Sequence, residues 1–174
     1  MRYFVFAFAC AATPLGAESF CGMQDAEAVL ARLDNIWQLD GAVSVETETL
    51  SLLEEESGIV VISGGLVDAP AVRRFTDAIV APEIGRIYDV DGVDDILAAV
   101  EAEWIADAVS ATPCGPEDLP QLSATFARGA EVSGRITLVP YFTDQVVMIV
   151  EAELTGDWGL AFLTQAALLV PGAP

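Results

Sequence analysis

Carboxylates are the only plentiful side chains in this chain that could carry acid–base or metal chemistry. The 174 residues include 27 Asp or Glu and no His, and all seven basic residues are Arg. Without His the chain cannot build a Ser-His-Asp or Cys-His catalytic group, and without Lys it offers neither a Ser-Lys dyad nor a Schiff base. The missing imidazole also excludes zinc, copper and haem sites built on it from this chain. We therefore expect a protein that is not an enzyme and has no cofactor.

One acidic cluster is a candidate calcium site, in the segment 89–95 with the sequence DVDGVDD. Hard oxygen ligands on a turn are what calcium prefers, and the candidate ligands here are Asp89, Asp91, Asp94 and Asp95. The spacing departs from an EF-hand loop, because the glycine comes two positions too early and no Glu ends the loop. The ordinary alternative is a turn followed by a helix N-cap and acidic residues in the first helical turn.

Two glutamate pairs are spaced like the carboxylates of a hydrolase. Glu46 with Glu48, and Glu151 with Glu153, lie two residues apart on predicted strands, so each pair shares a face at about 6.5–7 Å. Inverting glycosidases hold their carboxylates about 6.5–9.5 Å apart, but on opposite sides of a substrate. We therefore favour a solvated sheet face with Arg135 across from one member of the second pair, and keep a carboxylate-only hydrolase as the alternative.

The three tryptophans could line a ligand cavity. Trp37 and Trp104 fall on apolar helical patterns, so they are predicted to belong to the core. Trp158 follows Gly156-Asp157 in a predicted turn. It is therefore the candidate for contact with a ligand.

The first seventeen residues have the pattern of a secretory signal peptide. Arg2 supplies the positive charge, residues 3–12 form a short apolar run, and small residues lead to Ala17, after which we expect cleavage. The run is too short to span a bilayer, and no later run is long enough to suggest a transmembrane segment. A lipidated Cys10 is the alternative to cleavage. The sequence predicts export to the periplasm or the extracellular space.

Export gives the two cysteines of the mature chain a structural meaning, because disulfides persist outside the reducing cytosol. Cys21 and Cys114 are about 93 residues apart, and the chain-entropy model values a loop of that length at about 4–5 kcal/mol. Free thiols in redox or metal chemistry are the alternative, but the chain has no CxxC spacing. We predict a Cys21–Cys114 bond joining the start of the mature chain to its middle.

The formal net charge of −20 restricts the choice of partner. An acidic surface repels nucleic-acid phosphates and anionic lipid headgroups, so neither is expected to bind. Solubility is the ordinary explanation of the charge, and attraction to a basic partner or to divalent cations is the alternative. The oligomeric state is not predicted.

The pattern of apolar residues predicts helices early in the chain and strands late. Three helices are predicted, at 25–37, 70–82 and 94–108. A hairpin with its turn at 54–58 separates the first two helices. Four further strands are predicted near 121–127, 132–142, 145–155 and 159–170.

These elements predict a single α+β domain over residues 18–174. Its antiparallel sheet combines the C-terminal four-strand meander with the N-terminal hairpin, and about three helices pack on it. The sheet has five or six strands, with the helices on one face, or curves into a half-barrel. The leading functional hypothesis is an exported domain that binds a partner protein or a small apolar ligand through one side of the sheet, and a calcium-binding structural protein is the runner-up.

Overall fold

The computed structural model describes residues 17–76, 79–89, 91–157 and 159–172. These residues form a mostly antiparallel eight-stranded sheet with a few short helices. None of the helices in these ranges is long and apolar enough to cross a membrane. Nearly all of the predicted signal peptide, with Cys10, lies outside the described residues, and so does Trp158.

The sheet is built from consecutive antiparallel neighbours along most of its width. Its strand order is β3-β2-β1-β8-β7-β6-β5-β4. The strands are β1 (Asn35–Thr47), β2 (Ser51–Ser63), β3 (Leu66–Asp68), β4 (Glu83–Ile84), β5 (Leu122–Arg128), β6 (Val132–Phe142), β7 (Gln145–Gly156) and β8 (Gly159–Pro171).

The four C-terminal strands lie within one residue of their predicted bounds. Their signal is strong because apolar runs rich in Val, Ile and Leu are separated by short turns, two of which contain glycine. β8 also pairs with β1, which joins the N-terminal hairpin to this meander. The predicted meander and hairpin account for β1, β2 and β5–β8, whereas the short strands β3 and β4 extend the sheet beyond the predicted five or six strands.

The described residues form four short α-helices beside the sheet, rather than the three longer ones predicted. They are α1 (Ala26–Leu33), α2 (Pro70–Arg73), α3 (Gly92–Ala99) and α4 (Trp104–Ala108), and a 3-10 turn follows at Pro116–Asp118. The predicted cap of the first helix is confirmed, because Asp25 accepts a hydrogen bond from the Glu27 N–H.

The first helix was predicted too long because its apolar stripe continues into a strand. α1 ends at Leu33, and β1 begins two residues later. Alternation in β1 buries Trp37 and leaves Ile36 54% exposed, whereas a helix would have placed both on one face. Tertiary pairing of Trp37 with Val60 on β2 decides the local structure here.

The predicted turn at residues 54–58 is wrong, because this acidic segment lies inside β2. The hairpin turns earlier, where the Thr47 N–H donates to the Leu50 carbonyl at 2.8 Å. The strand accommodates its acidic side chains because Glu54 and Glu55 are exposed. Glu56 is the exception, since only 11% of its side chain is exposed and Arg74 pairs with it at 2.6 Å.

The two later helices also end earlier than predicted. After α2 the chain becomes extended, so that Val80 and Val67 exchange two backbone hydrogen bonds of 3.1 and 2.7 Å. The predicted helix at 94–108 is two helices, and α3 begins at Gly92 with Asp91 as its N-cap. A left-handed residue, Glu101, separates α3 from α4.

The sheet curls around one apolar core. Residues from strands near opposite edges of the sheet, including Val60 on β2 and Phe126 on β5, belong to the same buried cluster. Phe20, α1 and α2 contribute to the same cluster. We call the face of the sheet that packs against this cluster the inner face. A second cluster on the outer face packs α3 and α4 against the central strands β1, β6, β7 and β8. Helices therefore cover both faces of the sheet, which corrects the expectation that they lie on one.

The predicted disulfide is confirmed. Cys21 and Cys114 are bonded, with their Cα atoms 5.9 Å apart. Both cysteines pack against the outer cluster. The bond fastens the N-terminal segment to the linker before the meander, next to the hydrogen bond from the Gly22 N–H to the Asp118 carbonyl.

Gly41 on β1 allows the close approach of β8 that the curl requires. A Cβ atom at this position would lie 2.6 Å from the Ala167 Cα and closer still to the Ala166 carbonyl oxygen, so backbone atoms would have to move. A glycine inside a strand commonly marks such an approach.

We predict that Gly41→Ala lowers the free energy of unfolding by about 1–3 kcal/mol or more, the cost of overpacking a core. Urea denaturation of the mature protein measures it. Gly85→Ala is the matched control, since a Cβ there meets no atom within 4 Å and should leave the unfolding midpoint nearly unchanged. Equal effects of the two substitutions would show that β1 and β8 are not in close contact at Gly41.

Candidate functional site

The four candidate calcium ligands lie around the start of α3. Asp91 is its N-cap, and Asp94 and Asp95 occupy its first turn, where the helix dipole favours carboxylates. Among the described residues, no group of three or more His, Cys, Asp or Glu side chains is arranged to hold a metal ion. Calcium binding at Asp89 and these three residues stays a prediction.

Glu151 is held in a polar network on the outer face. Arg135 lies opposite it in the β6–β7 register, as predicted, with a nitrogen 3.6 Å from the carboxylate. The Tyr88 hydroxyl donates to the same carboxylate oxygen at 2.8 Å. Glu151 is therefore positioned as an acceptor between two partners, while Glu153 is exposed beyond them. In the other predicted glutamate pair, Glu46 lies on β1 but Glu48 lies in the hairpin turn, so the two do not share a strand.

The two described tryptophans differ in environment. Trp37 is fully buried on the inner face, and its indole N–H donates to the Leu33 carbonyl at 2.9 Å. The predicted core position of Trp104 is wrong, because this side chain is 41% exposed. It is the first residue of α4, and the next residue, Ile105, takes the buried position instead.

Trp104 lines a cleft of about 500 Å³ between the α3–α4 turn and the outer side of the β1–β2 hairpin. Three acidic residues place their carboxylates on the outer side at this cleft, and no described arginine lines it: Asp40, Glu55 and Glu101. Glu54 also borders the cleft, but alternation along β2 puts its side chain on the opposite face from Glu55. None of the four forms a salt bridge with a described residue. We call this the Trp104 cleft, and its chemistry combines an aromatic face with unneutralised negative charge.

Glu101 enters the cleft from an unusual backbone conformation. Its φ of 54° is the only positive value at a described residue other than glycine. The position ends α3, because the Glu101 N–H donates to the Ala98 carbonyl and the Ala102 N–H donates to the Leu97 carbonyl. Glycine is the usual residue at such a helix end, so a glutamate is kept here at a cost in stability.

Exposed leucines surround the hairpin turn beside the cleft. Leu50, Leu52 and Leu53 are 58, 43 and 40% exposed. Leu53 also lines the Trp104 cleft, so apolar and acidic groups are adjacent on this surface. Leu52 has its side chain on the opposite face of the hairpin, because it pairs with Val45, which packs against the inner cluster. We call Leu50 and Leu53, with the cleft, the hairpin surface.

The hairpin surface suits a positively charged organic group better than a metal ion. Tryptophan is the strongest aromatic partner for an ammonium or guanidinium group, which binds over the ring face. The surrounding carboxylates attract the same groups, and the leucines offer contact for an apolar side chain. A protein segment carrying Lys or Arg beside apolar residues supplies all of these contacts.

The sequence carried only part of the signal for this site. The run Glu54-Glu55-Glu56 predicts a turn, whereas the leucines before it and the apolar residues after it are the signal for one long strand. Trp104 was placed on a continuous helix because the break at Glu101 has no glycine to mark it. Comparison with protein-family models, curated proteins and solved structures finds no match to this chain.

The two tyrosines of the described residues, Tyr88 and Tyr141, are expected to resist ionisation. Burial raises the pKa of Tyr88, and its hydrogen bond to the Glu151 carboxylate raises it further. Burial also raises the pKa of Tyr141, with a smaller contribution from the charge of Asp94. An unfolded tyrosine titrates at about pH 10. Because the folded pKa values are higher, this contribution to stability is complete below about pH 10 and is lost as the pH rises above it.

We predict that tyrosinate absorbance in the folded protein prepared without residues 1–17 does not rise near pH 10, whereas the same chain unfolded in urea titrates there. Tyr88→Phe, which keeps the ring and removes the hydroxyl, should halve the tyrosinate signal of the unfolded chain. A full titration near pH 10 in native buffer, with the fold intact, would contradict the buried environment of both residues.

Replacing Glu101 should stabilise the protein. We predict that Glu101→Gly raises the free energy of unfolding by about 1 kcal/mol, because glycine enters the left-handed region without a steric cost. The matched control is Glu103→Gly, two residues away in right-handed conformation with φ of −58°, which should be neutral or destabilising. Urea denaturation measures both variants, and destabilisation by Glu101→Gly would contradict the left-handed conformation.

Proposed function

We propose that this protein is an exported, non-catalytic binding domain that captures a basic segment of a partner protein on the hairpin surface. The observation that carries the proposal is the Trp104 cleft, where a 41% exposed indole lies beside Asp40, Glu55 and Glu101, acidic residues that have no basic partner in the described part of the chain. The exposed leucines beside the cleft extend the surface toward apolar side chains.

The tight packing of the inner face favours a protein, and not a small apolar ligand, as the binding partner. The space where such a ligand would lie is occupied by the chain itself, since Phe20, Leu33 and Trp37 fill it and are fully buried. α2 adds Ala71 and Val72 to the same cluster. Binding on the outer side needs no displacement of this core.

The disulfide and the net charge are both consistent with a binding domain that acts outside the cytosol. The Cys21–Cys114 bond fits an oxidising compartment, where disulfides persist. The net charge of −20 accelerates association with a basic partner through long-range attraction, and salt weakens that attraction.

A synthetic basic peptide tests the proposal directly. We predict that a fluorescent decapeptide of alternating Lys and Val binds the mature protein in low salt and that binding weakens in high salt. The matching peptide of alternating Glu and Val should not bind. Trp104→Ala and Leu53→Ser should each weaken binding of the Lys peptide at least about tenfold, as expected for contacts at the centre of an interface. Fluorescence anisotropy gives the affinities.

Leu66→Ser is the matched control for Leu53→Ser, because the two leucines are 44 and 40% exposed and lie on different parts of the surface. It should bind the Lys peptide as the unaltered protein does. If the peptide does not bind, or if Leu53→Ser and Trp104→Ala bind it with unchanged affinity, the hairpin surface is not the binding surface.

A further inference from the structure

One edge of the sheet offers backbone hydrogen-bonding groups beside the Trp104 cleft. β2 pairs with β1 over its whole length, but on its other side β3 reaches only Val61, Ile62 and Ser63. Residues 51–60 therefore have a strand on one side only in the described part of the chain.

The hairpin register shows which groups point to the open edge. The hydrogen bond from the Thr47 N–H to the Leu50 carbonyl makes this a hydrogen-bonded pair. In an antiparallel ladder such pairs alternate with pairs whose N–H and C=O groups point away from each other. Counting along β2, the backbone groups of Leu53, Glu55 and Ser57 point outward, and these three residues are exposed.

We propose that the partner segment binds as an added strand, antiparallel to β2 along residues 51–57, with a Lys or Arg side chain entering the Trp104 cleft. This inference rests on the proposed function and specifies its mode. Backbone hydrogen bonds to an exposed sheet edge provide affinity in such complexes, and pockets for alternate side chains provide specificity.

The cleft lies where an added strand would place its side chains. The outward residues Leu53 and Glu55 have their side chains on the outer face, where both line the cleft. A residue directly opposite Glu55 on the added strand has its side chain on the same face, about 4.5–5.5 Å away between Cβ atoms. A long basic side chain at that position pairs with Glu55 and reaches toward Trp104.

Charge selects a basic segment over a second copy of this chain. If the β2 strands of two copies paired edge to edge, the acidic run Glu54-Glu55-Glu56 of one copy would lie beside β2 of the other copy, either next to the same acidic run or next to another part of that strand. Like charges opposite each other destabilise a sheet. A basic strand instead neutralises the exposed carboxylates.

The other sheet edge is less open. β4 pairs with the start of β5, and the segment before it, including Ile79 and Val80, lines a cleft along the rest of that strand. The free part of β5 contains Ala124, Thr125 and Ala127, which offer no carboxylate to a basic segment.

Backbone methylation of the probe peptide tests the mode of binding. In the alternating Lys and Val decapeptide, antiparallel addition with Lys over the cleft places the Lys amides toward β2 and the Val amides toward solvent. We expect N-methylation of the Lys amides to weaken binding at least about tenfold and N-methylation of the Val amides to have little effect. Anisotropy measures both peptides against the unaltered protein.

Variants of the protein give a second measurement. Ser57→Pro removes an outward N–H without removing a hydrogen bond to β1, so it should weaken binding of the unmethylated peptide at least about tenfold at an unchanged melting temperature. Ser57→Ala keeps the N–H and should bind normally. The peptide experiment does not depend on this variant remaining folded.

The outcomes separate the mode from the function. Salt-sensitive binding that Trp104→Ala weakens, but that both methylated peptides retain equally, overturns strand addition and leaves the proposed function standing. Loss of binding with only the Val amides methylated would overturn the antiparallel orientation. A concentration-dependent dimer in sedimentation that excludes the peptide would assign the edge to a second copy instead.

Discussion

The curl of the sheet around a single apolar core is the constraint on which the rest of the structure depends. It requires β1 and β8 to approach at Gly41, where no side chain fits. The curl brings residues from both sides of the sheet into one cluster with α1 and α2. Because the chain fills its own inner face, exposed features on the outer side and at the strand edges are the ones available for binding.

The same curl explains how an acidic run can lie within a strand. β2 is bordered by β1 on one side and is open along most of the other, so Glu54 and Glu55 remain exposed. Glu56 faces the interior, where it pairs with Arg74 and accepts a hydrogen bond from Gln165 at 2.9 Å. Charge on an edge strand also discourages pairing between copies of the chain.

Sequence patterns correctly predicted those parts of the fold where the secondary structure that the local residues favour is also the one that their tertiary contacts require. The sequence predicts the strands β5–β8 because apolar runs bounded by short turns favour strands, and it predicts the Cys21–Cys114 bond because residues 18–174 contain only this cysteine pair. Trp37 belongs to the core as predicted but lies on a strand, because apolar residues at helical spacing continue past α1. The predicted core position of Trp104 is wrong, because a glutamate and not a glycine marks the end of α3. The Trp104 cleft depends on that hidden break, so it could not be found without the fold.

Hydrogen exchange along β2 in the free protein, prepared without residues 1–17, tests the central claim most directly. If β2 is an edge strand open to an added strand, amides should alternate in protection: Leu52 and Glu54 slow because they bond to β1, Leu53, Glu55 and Ser57 fast because they point to solvent. Uniform protection along residues 52–57 would mean that this edge is already covered. Uniformly fast exchange would mean that the strand itself does not form.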